Sequence, residues 1–153
     1  MAVEKSEDPV GALPKDGTTG LVTGAMFLSL DFIYLPAQDF EAILRHYVED
    51  LGAELVWRVR GMGTIVAHLR LAPEGPGLLL AEHLEDQPPI LVYRVENLRS
   101  TMKQLKAKGL KGSSFEIPHG PIFRFDAAGG QRFAVYQLTR PEADTMWAGR
   151  MDA

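Results

Sequence analysis

From Phe27 the chain is apolar almost without a break to Leu35, which predicts a strand ended by Pro36. Asp39 follows, a short acidic side chain suited to accept from the free N–H groups of a first helical turn. Phe40, Ile43, Leu44, Tyr47, Val48 and Leu51 then recur at spacings of three and four, the stripe of an amphipathic helix that Gly52 closes. Residues 54–60 alternate, Gly61-Met-Gly63 makes a tight connection, and 64–71 and 78–84 read as further strands around a turn at 73–77. The order then repeats. A strand is predicted over 90–95, a cap at Asn97, a helix over 98–108, and strands over 113–117, 122–125 and 132–138, with a turn at 126–130.

The caps Asp39 and Asn97 are 58 residues apart, and the same offset carries Phe40 onto Leu98, Leu44 onto Met102 and Tyr47 onto Leu105. Two copies of a β-α-β-β-β unit are too few for a solenoid, so they are expected to pack about a pseudo-twofold axis. The fold class is α+β, with module one at 25–86 and module two at 88–139 of a single domain. Two like modules facing each other enclose a cleft, where function is to be sought. Residues 1–24 and 140–153 carry no periodicity and read as an N-terminal and a C-terminal tail, although Met146, Trp147 and Met151 give the second something to dock with.

Composition narrows the function classes. With 46% apolar and 24% charged residues the chain has a globular make-up, and at 153 residues it can bury a real core. A net charge of −4 without a Lys/Arg cluster gives no reason to expect nucleic acid or anionic membrane as a partner. The absence of cysteine excludes disulfides, thiolate metal sites and a cysteine nucleophile. No apolar run approaches the roughly 20 residues a membrane span needs, and no signal peptide is evident, so the cytoplasm is expected.

The helix segment Phe40…Tyr47-Val-Glu-Asp-Leu51-Gly52 resembles an F-Y-x-x-x-L-G pattern, and Phe125-Asp-Ala-Ala-Gly-Gly-Gln-Arg-Phe133-Ala-Val-Tyr-Gln137 resembles a D-P-x-G-x-x-x-E-L hairpin and last strand. With the duplication, from about Phe27 to Thr139, these resemble the vicinal oxygen chelate superfamily, which includes glyoxalase I, bleomycin-resistance proteins and extradiol dioxygenases. The resemblance implies a curved, eight-stranded half-barrel around a cleft. Its enzymes hold one divalent metal on the first and last strands of each module. Those positions fall here on Phe32 and Ile90, on Ala134, and on Leu80, or on Glu82 if the register slips by two. Phe32, Ile90, Ala134 and Leu80 offer no oxygen or nitrogen side-chain donor. The chain therefore departs from the pattern at the chelate itself, and neither metal nor other cofactor is expected.

Strand parity puts Phe32, Tyr34, Ile90, Val92, Ala134 and Tyr136 on the inner face, walls suited to a small flat organic ligand or to an ordinary core. Arg132 shares a face with Ala134 and Tyr136, either as an anchor for an anion or as a surface residue. Glu82, read as sharing a face with Leu80, is either a general base at the cleft mouth or a solvated acid. Among the histidines, His46 reads as surface and His68 as a buried imidazole or a pocket residue. His83 is read as pointing away from Glu82. His119, in the loop Pro118-His-Gly-Pro121, is a site candidate or part of a turn. Gly129-Gly130 and Gly61-Met-Gly63 precede no helix that would cradle phosphate. The expected protein binds a small organic ligand as a homodimer. The alternative is a metal-dependent lyase, isomerase or dioxygenase relative using Glu82 and a histidine.

Overall fold

All eight expected strands join one sheet in the computed structural model, which describes residues 26–61, 63–84 and 88–151. The tail expected over 1–24 lies outside them. The first module contains β1 (Ser29–Pro36), α1 (Phe40–Arg45), β2 (Glu54–Gly61), β3 (Thr64–Arg70) and β4 (Gly77–Ala81). The second contains β5 (Ile90–Arg94), α2 (Leu98–Ala107), β6 (Gly112–Ile117), β7 (Gly120–Asp126) and β8 (Arg132–Tyr136), and α3 (Ala143–Trp147) follows.

Strand order β2-β3-β4-β1-β5-β8-β7-β6 sets the modules side by side along antiparallel β1 and β5. The register obeys the sequence repeat. Phe32 pairs with Val92 and Tyr34 with Ile90, so exchanging the modules by the offset of 58 turns one pair into the other. In each module the first strand runs parallel to the last, with Tyr34 beside Leu79 and Val92 beside Ala134.

Helices α1 and α2 lie on one side of this sheet. Phe40 and Leu44 of α1 pack on Ile65, Ala67, Leu69, Leu78 and Leu80, while Leu98 and Leu105 of α2 pack on Phe123, Phe125 and Val135. Both caps form as expected, with Asn97 accepting from the Ser100 N–H at 2.9 Å and Asp39 from that of Ala42 at 3.4 Å. The other, concave side carries a third cluster drawn from both modules, including Phe32, Trp57, Val59, Leu79, Ile90, Val92, Ile122, Ala134 and Tyr136. This is the eight-stranded half-barrel with a cleft.

Three departures matter for the site. The first helix does not run regularly to Gly52: it widens into a π-type turn over His46–Asp50. A wider turn advances each residue by a smaller angle, so the 3.6-residue stripe loses its face, and Leu51 is 51% exposed. The strand expected over 78–84 ends at Ala81 and becomes a 3-10 turn, Glu82–Leu84. Finally, the expected C-terminal tail packs: Trp147 of α3 meets Trp57 edge to face at 5.2 Å, and the Arg58 N–H donates to the Arg150 carbonyl at 2.8 Å, covering the β2 edge.

Candidate functional site

The concave face opens into a chamber of about 430 Å³ with almost wholly apolar walls. Trp57, Val59, Val66 and Leu79 line it from module one, Phe115, Ile117 and His119 from module two, and Trp147 from α3. Tyr34, on the central strand β1, faces into it. Among the described residues its hydroxyl has no hydrogen-bond partner, and burial pushes the phenol up to about 12. A second space of about 290 Å³ meets the chamber across Tyr34, His83 and Phe115, which line both. Its other walls are Leu84, Ile90, Ile122 and Ala134, with two cations, Arg124 and Arg132.

The two arginines come from adjacent strands. Arg124 lies opposite Ala134 and Arg132 opposite Asp126, so both point to the concave face as diagonal neighbours. Arg132 is 8% exposed and donates to the Pro88 carbonyl at 3.2 Å. Burial first, and the charge of Arg124 second, weaken its hold on its proton. His83 stands at the rim on the 3-10 turn, with Nδ1 3.1 Å from Thr64 Oγ1. Burial and then the charge of Arg132 lower its pKa, so its protonated form is disfavoured.

Toward β2, β3 and the β6–β7 turn the chamber is closed by a polar knot around Asp144 of α3. One oxygen, Oδ1, accepts from Trp57 Nε1 at 2.9 Å and lies 3.1 Å from His119 Nε2. His68 Nδ1 comes equally close, 3.1 Å, but off the line a hydrogen bond needs, so its contact is electrostatic. Burial alone would raise the Asp144 carboxyl. The contacts from His119, His68 and Trp57 outweigh it and hold the group well below the usual carboxylate range. An ionised carboxylate only accepts, so His119 donates from Nε2. The His68 ring fits because Gly77 lies beneath it: a Cβ there would come within 2.4 Å of Nε2. Beside the knot, Tyr136 donates to Asp31, and burial followed by that bond raises its phenol far above the ordinary value.

Of the residues expected to line the cleft, Tyr34, Ile90, His119, Arg132 and Ala134 do so. Phe32, Val92 and Tyr136 are on the expected face but form its packed floor, each no more than 6% exposed. Leu80 is a correction. It lies under α1 on the opposite side, and Leu79 is the counterpart of Ala134. Glu82 is also corrected: it sits on a 3-10 turn rather than a strand, so it shares no strand face with Leu80 and lines neither space. His46 is at the surface beside Asp50, as expected, and His68 is buried in the knot rather than in the chamber. Arg124, His83, Leu79, Trp147 and Asp144 are additions.

With the observed register, the four positions implied for a metal are Phe32, Leu79, Ile90 and Ala134, none with a side-chain donor. Asp144 and the two histidines do not replace them, because the carboxylate oxygen that faces the histidines already accepts from Trp57 and His119. Among the described residues no group of three or more His, Cys, Asp or Glu is arranged to hold a metal ion. The residues present do not fit a chelated metal. Nor is any helix among them long and apolar enough to cross a membrane.

No family model matches the chain, and no curated protein matches it by sequence. Solved structures do match in shape. Methylmalonyl-CoA epimerase from Mycobacterium tuberculosis, 17% identical, superposes over 80% of this chain and 96% of that one with a TM-score of 0.67. A variant of the Streptomyces coelicolor methylmalonyl-CoA epimerase in complex with 2-nitronate-propionyl-CoA, 14% identical, matches over 74% and 99% with a TM-score of 0.63. A catechol 2,3-dioxygenase, 17% identical, matches over 74% of this chain and 40% of its own, with a TM-score of 0.55. At these identities the likeness is one of fold.

Proposed function

From the vicinal oxygen chelate fold that this chain adopts, we propose a metal-free small-molecule-binding protein whose ligand lies in the chamber walled by Trp57, Leu79, Phe115 and Trp147. The observation that carries this reading is the chamber itself. Its volume falls in the range of about 300–1,000 Å³ usual for ligand pockets, and its walls are aromatic and aliphatic from both modules. Burying a flat apolar molecule there removes apolar surface from water on both partners, and the Tyr34 hydroxyl supplies one point of polar recognition. The chelate positions are filled by Phe32, Leu79, Ile90 and Ala134, which suits packing against carbon and not coordination.

Fluorescence titration of EDTA-treated protein with the neutral probe N-phenyl-1-naphthylamine tests the reading. One site with micromolar affinity is expected. Absence of binding at the probe's solubility limit, or binding that requires an added divalent metal, would contradict it. A homodimer is also proposed, because β6 is an edge strand with no neighbour beyond it among the described residues and five exposed positions. A monomer by light scattering would remove that part alone.

A further inference from the structure

Resting on the reading of the cleft as a ligand pocket, we infer that its ligand is an amphiphilic anion, with an oxyanion head between Arg124 and Arg132 and its apolar body in the chamber. The argument is one of unmet need. A guanidinium carries five N–H donors, and Arg132, 92% removed from solvent by its 8% exposure, donates one described bond, to the Pro88 carbonyl. Arg124 fares no better: its nearest described carboxylate oxygen, on Asp126, is 3.9 Å away and the side chain bearing it is 69% exposed. Two other arginines are closely paired, Arg140 with Glu116 at 2.7 Å and Arg58 with Glu41.

Two like charges held side by side in a half-buried space repel each other, a cost that a bound oxyanion would offset. Planar guanidiniums on neighbouring strands are suited to grip two oxygens at once. The geometry also fixes the rest of the ligand. The arginine-lined space joins the chamber across Tyr34, His83 and Phe115, so a head held by the arginines leaves its attached group facing Leu79 and the tryptophans. In a chain of net charge −4 such a pair is a local reversal of sign, which favours anions at this mouth over the surrounding surface.

The test is isothermal titration with two probes of one shape, 2-naphthylacetate and its neutral primary amide. At low ionic strength the acid is expected to bind about tenfold more tightly than the amide. That ratio should fall to about twofold or less in Arg124→Gln and in Arg132→Gln, and with added salt in the wild type. Arg124→Gln carries the test if loss of the Pro88 contact unfolds the other variant, because Arg124 makes no close bond among the described residues. Equal binding of acid and amide, or an advantage that survives both substitutions, overturns the inference and leaves the pocket reading standing. Binding of neither probe brings down the pocket reading and this inference with it.

Discussion

At one end of the concave face a single carboxylate, Asp144, accepts from Trp57 and His119 and lies against His68, while at the other two guanidiniums face open space with little to donate to among the described residues. Both ends place charge in partly buried surroundings, and the same desolvation cost applies to each. For the Asp144 carboxylate that cost is met inside the protein, and the result is mechanical: α3 is tied across β2, β3 and the β6–β7 turn, and Trp147 is held as a wall. At the arginine end it is not met, so the protein alone gains no stability there. The contrast is between a carboxylate whose charge is answered inside the protein and two cations that share a cavity with no close carboxylate among the described residues. Beside that carboxylate, the Nδ1 atoms of His68 and His119 have no hydrogen-bond partner among the described residues.

The largest expected effect breaks the satisfied end. Asp144→Ala leaves the Trp57 N–H and the His119 Nε2–H without their acceptor, each such group costing about 1–3 kcal/mol. A total loss of about 3 kcal/mol, or roughly 6–12 °C in Tm for a chain this size, is expected by thermal unfolding. Red-shifted tryptophan emission should accompany it as Trp147 loosens.

The same carboxyl sets an acid limb. Its folded pKa lies below the ordinary value of 3.8. The unfolded chain therefore takes up the proton first, and the stabilisation is complete above 3.8 and lost as the pH falls further. Asp144→Asn should flatten this limb in acid-unfolding curves, and an unchanged limb would show that other carboxylates dominate.

At the unsatisfied end the expectation has the opposite character. Arg124→Met and Arg132→Met should each cost less than about 1 kcal/mol in denaturant unfolding, or stabilise slightly, because each removes a poorly paired charge while keeping apolar bulk. A loss of about 3 kcal/mol at either would make the two ends alike and remove the distinction between them. The smallest effect is expected at Tyr34, between the two. Tyr34→Phe should change stability by less than about 0.5 kcal/mol at neutral pH. Because the folded phenol is raised from 10.0 to about 12, the wild type loses stability as the pH rises from 10.0 towards 12, and the variant should lack that component.

The repeat, both helix caps and the inward faces of β1, β5 and β8 could be read from the chain, because regular strands and capped helices write their geometry into spacing. The reading failed where that regularity ends. Leu78, Leu79, Leu80 and Ala81 are all buried, since both sides of β4 are covered, so no alternation separates the cleft residue Leu79 from the helix-facing Leu80. At Trp57 a register shift after Leu55 breaks parity. Glu82 continues the spacing of a strand that stops one residue before it, and nothing in the local sequence marks the stop. Asp144 had no local signal, because its bonded partners Trp57 and His119 are 87 and 25 residues away.

The central claim is that the chamber walled by Trp57, Leu79, Phe115 and Trp147 takes an organic molecule without a metal. Titration of the EDTA-treated wild type and of Val66→Phe, which adds bulk to the chamber wall, with N-phenyl-1-naphthylamine tests it most directly. One micromolar site in the wild type, weakened about tenfold or more in Val66→Phe and unaltered by zinc or magnesium, is the predicted result. Equal binding by both proteins, or binding that appears only with metal, would contradict it.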